Sequence, residues 1–201
     1  MRHLIFTAVS ALALGACGSS QPPDDASAAP EAAVAQAPMP AASVDDEYER
    51  LKNTTPVDAC AWLTPEKLKA VFPDLSFEVH QKVDPRLSGY VWDSRCVYWA
   101  GVGTIDIAKD VPTHTVDIFV GTSVSDAKAQ ANLASRQELA TTTTGYQAQP
   151  ALGANAYAIA NTGVVSLFLV KGQSEIQINV SDLSTPNDEK IAKAIALAQS
   201  L

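Results

Sequence analysis

Few residues in this chain have types and spacing suited to chemistry. Of three histidines, His3 belongs to the N-terminal leader, and His80 and His114 stand alone in the mature region. There is no Gly-x-Ser-x-Gly elbow, no His-Glu-x-x-His and no phosphate-binding Gly-rich loop. No cluster has the spacing of metal ligands, so the sequence points to no catalytic residues, no metal and no cofactor. The cysteines say more. With Cys17 at the end of the leader, Cys60 and Cys96 remain as an even pair, which in an exported domain reads as a disulfide. Neither has a Cys-x-x-Cys partner or a nearby histidine, as a redox or catalytic thiol would require.

The segment 89–99, Gly-Tyr-Val-Trp-Asp-Ser-Arg-Cys-Val-Tyr-Trp, holds two of the three tryptophans. As a strand it puts Tyr90, Trp92, Cys96 and Tyr98 on one face and Val91, Arg95, Val97 and Trp99 on the other. One face must be core. The other offers aromatic and guanidinium groups to an envelope protein, a glycan or a lipid, and Tyr90, Trp92, Arg95 and Trp99 are the candidate partner-binding residues. A sheet covered on both faces by helices would bury them instead.

These groups sit behind an export address. Arg2 and His3 precede Leu4–Leu14, eleven residues broken only by Thr7 and Ser10. The run has the length of a signal-peptide core and is too short to span a bilayer, which takes ~20 apolar residues. It ends in Leu14-Gly15-Ala16-Cys17, the pattern of a bacterial lipobox, in which the cysteine thiol receives diacylglycerol and the chain is cut just before it. Gly18, in place of aspartate, favours the outer membrane facing the periplasm. Lipid on Cys17 is then the membrane anchor, since no other stretch is long and apolar enough to be one.

Residues 18–47 contain nine Ala, five Pro, four Ser and six acids, with no Leu, Ile or aromatic residue. Such a segment has almost nothing to bury and reads as a disordered tether extending to about residue 50, with a mean reach of roughly 30 Å. The whole chain has a formal net charge of −8, and residues 18–50 contribute −6 of it. An acidic chain lacks the electrostatic footprint for nucleic acid.

Residues 51–201 are the size of one domain. Thr64, Pro65 and Glu66 start a helix that Pro73 stops. Strands follow over 76–81, 90–100, 104–108 (after a Gly101-Val102-Gly103 turn) and 115–120. A second helix runs over 125–140 with Ala127, Ala131 and Ala134 along one face, helped by Leu133 and Leu139. Strands over 155–160, 164–170 and 175–181 come next; the last alternates, with Ile176, Ile178 and Val180 inward. Thr185 as cap, Pro186 as first residue and Asp188 open a closing helix with Ile191, Ile195 and Ala198 as its stripe. The expected architecture is α+β: antiparallel meanders with three packed helices, in the order helix, strands, helix, strands, helix.

The run Asp58-Ala59-Cys60-Ala61-Trp62-Leu63-Thr64-Pro65-Glu66 resembles the opening of a family of small bacterial lipoproteins of unknown function, best represented in actinobacteria. Cys96-Val97-Tyr98 is similar to that family's later Cys-x-Tyr. Ala151-Leu152-Gly153-Ala154-Asn155-Ala156-Tyr157 partly matches its Gly-Leu-Gly-Asp-x-Ala-Tyr, and Lys171-Gly172 its late turn. The resemblance covers about residues 58–201 and departs at Ala59, Ala151 and Ala154, where the family has Pro, Gly and Asp. It implies a fold like the PsbP-type α/β sandwich and assigns no catalytic residue.

Leader, tether and aromatic strand together describe a lipid-anchored envelope lipoprotein acting as a non-catalytic binding or accessory module. The alternatives are an envelope-modifying hydrolase and a periplasmic immunity or inhibitor protein. The mature chain is expected to begin at a lipidated Cys17. Mass spectrometry of the N-terminus tests this, and an unmodified chain beginning elsewhere refutes it.

Overall fold

The computed structural model describes residues 43–101 and 112–201. The leader, Cys17, most of the tether, and the turn and strand expected over 101–108 lie outside the described residues, save Gly101. The described part belongs to one compact unit, Ala41–Leu201.

Its elements are α1 (Val44–Lys52), α2 (Ala59–Trp62), α3 (Pro65–Val71), β1 (Glu78–Ser88), β2 (Val91–Ala100), β3 (His114–Thr122), α4 (Asp126–Ala140), β4 (Tyr146–Ala148), a 3-10 turn (Pro150–Leu152), β5 (Tyr157–Asn161), β6 (Val164–Lys171), β7 (Ser174–Ser181) and α5 (Asn187–Ser200). The class is α+β, as expected. The helix count is not: five α-helices are described instead of three, because the opening block holds three short helices rather than one.

All seven strands form one antiparallel sheet in the order β1-β2-β3-β7-β6-β5-β4. Two meanders, β1–β3 and β4–β7, are joined edge to edge where β3 pairs with β7, from Thr115 opposite Ser181 to Thr122 opposite Ser174. The first expected strand, 76–81, is displaced to Glu78–Ser88. It runs through Pro85 because it is an edge strand with irregular register between Val83 and Arg86, where a missing N–H removes no ladder bond.

One face of the sheet carries the main core. Cys96, Tyr98, Val116, Ile118, Val120, Ile176, Ile178, Val180, Val165 and Leu167 point into it and meet Leu63, Leu68 and Phe72 from the α2–α3 region and Ile191, Ala194 and Leu197 from α5. The Cys60–Cys96 disulfide ties α2 to β2 with the Cα atoms 5.1 Å apart, closing a 36-residue separation. On the chain-entropy account such a closure is worth about 4 kcal/mol. Beside it, the Tyr98 hydroxyl donates to the Leu63 carbonyl, and burial pushes its phenol up to about 12.

The tether ends sooner than the composition suggests. α1 starts inside the segment expected to be disordered to residue 50. The Ser43 hydroxyl accepts from the Asp46 amide, acids fill the first turn, and Arg50 and Lys52 sit in the last, which suits the helix dipole. Leu51 is fully buried, its carbonyl accepts the Trp92 indole N–H at 2.9 Å, and Glu47 pairs with Lys128 at 2.9 Å.

Two helix readings need correction. The buried stripe of α4 is Ala129, Leu133 and Ala140, whereas Leu139 is 79% exposed and Ala127 and Ala131 face solvent. Alanine on every side leaves the phase of that helix ambiguous in the sequence. In α5 the cap is Pro186, with no side-chain bond from Thr185. The work falls to Asp182, whose Oδ1 accepts from the Ser184 and Thr185 amides and the Ser184 hydroxyl. The buried Lys190 Nζ donates to the Asp182 carbonyl at 2.8 Å.

Burial of Asp182 opposes its charge, but the amides and hydroxyls of Thr185 and Ser184 outweigh it and hold the carboxyl at about 2. A carboxyl depressed in the folded state adds stability above its unfolded value and loses it as pH falls through the folded one. Asp182→Ala should therefore cost about 2 kcal/mol at neutral pH. Its deficit against wild type should shrink between about pH 4 and pH 2, as read by urea unfolding across that range. A deficit independent of pH would refute the assignment.

Candidate functional site

Among the described residues, the second face of the sheet is only half roofed. α4 lies across its β6–β7 side, where Leu133, Ala140 and Tyr157 pack with Tyr146, Ile159, Phe168 and Val170. Tyr157 stacks on Phe168 with ring centres 4.7 Å apart. Towards β1–β3 this face opens into two adjoining cavities of ≈ 430 and ≈ 550 Å³ that share Asp93, Phe119 and Gln177.

The strand register arranges the open face in rows. One row reads Arg86, Asp93, Gly121, Glu175, Val170 across β1, β2, β3, β7 and β6. The next reads Val83, Arg95, Phe119, Gln177, Phe168. Beyond it Val97, Asp117, Asn179 and Ser166 lie side by side. Directly opposed side chains on such a face are in contact range.

The outer cavity is a closed polar network. Arg95 grips Asp117 with two bonds, Nε to Oδ1 at 2.9 Å and a terminal nitrogen to Oδ2 at 2.7 Å. Asn179 donates to the same Oδ2 at 3.3 Å, and Gln177 donates to Asn179 at 2.9 Å. Bonding to Asp117 raises the Arg95 guanidinium above its usual value.

The inner cavity, under the N-terminal half of α4, is not closed in this way. Lys128, Asn132 and Arg136 descend from α4 at four-residue spacing, one helical face. Phe119, Val91 and Gly121 form the floor, and Tyr90 stands at the rim. Glu175 is 6% exposed. Its Oε1 accepts from Asn132 at 2.9 Å, and Oε2 has no hydrogen-bond donor among the described residues. The nearest cation, Arg136, stands 3.4 Å from it, close enough to pair electrostatically but outside the hydrogen bonds formed here. Burial pushes the Asp93 carboxyl up, against a bond from Ser88 and the charges of Arg86 and Arg136.

The four aromatic-strand candidates do not form one surface. Tyr90 lies in the β1–β2 turn, 54% exposed, at the rim of the inner cavity, with its ring 6.1 Å from that of Tyr48. Arg95 lines the outer cavity. Trp99 shares the Arg95 face but stacks on His80 near the end of the β1–β2 pair. Trp92 is the correction: it points to the opposite face and is committed to the Leu51 carbonyl. Alternation alone separates Trp92 from Arg95; only the tertiary structure shows that its face is the core. The sequence reading missed Asp93, Phe119, Gly121, Asn132, Arg136 and Glu175. One signal was present, since a strand with Ile176, Ile178 and Val180 inward must turn Glu175, Gln177 and Asn179 to the other face.

Trp92→Ala is expected to lower stability by about 2 kcal/mol, through lost packing and an orphaned carbonyl. Trp99→Ala should cost less than half of that. Denaturant midpoints of the two variants check this, and equal losses would refute it.

No family model matches the chain, and no curated protein matches it. Among solved structures it is similar to the extracellular domain of PknH from Mycobacterium tuberculosis, with a TM-score of 0.50 and 11% sequence identity over 76% of this chain and 94% of that one. At that identity the likeness is one of fold.

Proposed function

We propose that the protein is a binding module held at the cell envelope by lipid on Cys17, and that the groove between α4 and strands β1–β3 is its ligand site. The observation that carries the reading is the inner cavity: a buried carboxylate oxygen that accepts no hydrogen bond among the described residues and has Arg136 3.4 Å away, in a concave space with an apolar floor and convergent polar groups, which is the usual make-up of a small-ligand site. The lipobox supports the location. So does the Cys60–Cys96 disulfide, which suits an oxidising compartment, and so does the fold likeness to a domain described as extracellular. The acidic tether frees the domain to search tens of ångströms from the bilayer, which suits a module that finds its ligand. His80 stacks on Trp99, and the His114 ring is bonded to Thr113, both away from the groove, so neither supplies a base there.

A photo-reactive residue placed at Tyr90 in the anchored chain should trap a ligand in intact envelopes, whereas one at the exposed Leu139 on α4 should not. Gly121→Leu, which plugs the floor against the Val91 methyl, should abolish the adduct while circular dichroism shows the chain still folded. Equal trapping at both positions would refute the site. Turnover of an envelope substrate abolished by Gly121→Leu would replace the binding module with an enzyme.

A further inference from the structure

The row Asp93, Gly121, Glu175 crosses three adjacent strands. Opposed residues on neighbouring strands lie about 5 Å apart, so the two acidic backbone positions are about 10 Å apart with no side chain between them. A Cβ on Gly121 would meet a Val91 methyl at 3.2 Å, the Phe119 ring at 3.8 Å and Asp93 Oδ1 at 4.0 Å. One small empty position is therefore walled by a methyl, an aromatic edge and a carboxylate oxygen. On its far side is Glu175, nine-tenths buried, whose Oε2 accepts no hydrogen bond among the described residues and has the Arg136 guanidinium 3.4 Å away.

We propose that the groove takes a small primary amine on an apolar stem, its ammonium seated over Gly121 between Asp93 and Glu175 and its stem on Phe119 towards Tyr90. This rests on the groove being a ligand site and names the ligand's chemistry.

Three facts argue for a cation rather than an anion. The under-bonded group is an acceptor with Arg136 held off at 3.4 Å, so it calls for a closer donor. An ammonium carries three donors on a compact head, enough to reach both carboxylates. The cations on the roof are already engaged: Lys128 by Glu47 at 2.9 Å and Arg136, loosely, by Glu175 at 3.4 Å. Arg136 has a side chain 54% exposed and can swing outward. It acts as a placeholder that an entering ammonium displaces, so its removal should help the ligand. An anionic ligand would instead need Arg136.

The test titrates the intact chain with phenethylamine, phenethyl alcohol and hydrocinnamate, which share a ring and stem and differ in the head group. Only phenethylamine is expected to bind. Glu175→Gln and Asp93→Asn should each weaken it by about tenfold or more, as lost charge-assisted bonds do. Gly121→Leu should abolish binding, and Arg136→Gln should strengthen it severalfold. Asp93 is the more exposed carboxylate, so Asp93→Asn keeps the test open if Glu175→Gln fails to fold. Binding of the alcohol or the acid with loss in Gly121→Leu would overturn the ammonium assignment and leave the groove standing. Weakening by Arg136→Gln would do the same. Absence of binding by all three probes would also overturn it, while trapping at Tyr90 reports on the groove independently.

Discussion

A wide sheet has two faces, and the described residues supply helices for about one and a half of them. Seven strands at ~4.8 Å spacing make a sheet about 29 Å across. A helix is about 10 Å wide, so α4, the one helix lying across the second face among the described residues, covers two or three strands. The rest of that face must be made compatible with water by its own side chains. Much of the molecule follows from that shortfall. β2, β3 and β7 alternate core residues with Arg95, Asp117, Asn179 and Gln177, whereas β6, under α4, can carry Phe168 and Val170 on the same face.

The two polar clusters on the open face answer this requirement differently. Arg95 and Asp117 meet through two short bonds, with Asn179 adding a third to the same carboxylate. Each partner is spoken for, and a ligand would have to break a fitted pair to use it. Such a pair specifies cross-strand register and keeps the face soluble, whatever its modest net worth in stability. Glu175 lies one row over and deeper, with only one of its two oxygens hydrogen-bonded among the described residues and the other 3.4 Å from Arg136. A buried acceptor short of a hydrogen-bond donor costs up to about 1–3 kcal/mol, which the Arg136 guanidinium at 3.4 Å only partly offsets.

Local signals in the sequence were readable. Thr64, Pro65 and Glu66 cap α3 as their types suggest, and the alternation of 175–181 appears unchanged in β7. α1 was not readable, because its helix depends on partners far along the chain: Trp92 for the Leu51 carbonyl and Lys128 for Glu47. The pairing of β3 with β7 was equally hidden, since the residues it joins lie more than fifty positions apart. The candidate site shares that fate. Asp93, Gly121 and Glu175 are unremarkable in their own segments and become a row only through two strand registers set by the hydrophobic faces.

Glycine inside a strand weakens it, for lack of a side chain to pack and through the entropy lost on folding. Gly121 has no positive φ to justify its presence, and a Cβ there would crowd only the end of the Val91 side chain. A valine at this position would have the higher strand propensity, but its Cβ would press on the Val91 methyl at 3.2 Å. The carboxylate beside it breaks a second rule by being buried and half-satisfied. Either departure alone could be local accident. Both fall on adjacent strands in one row, at the floor of the same cavity. Departures from local consistency collect where function requires them. The empty position and the under-bonded acceptor are complementary: the first gives room for a compact donor and the second gives it something to bind.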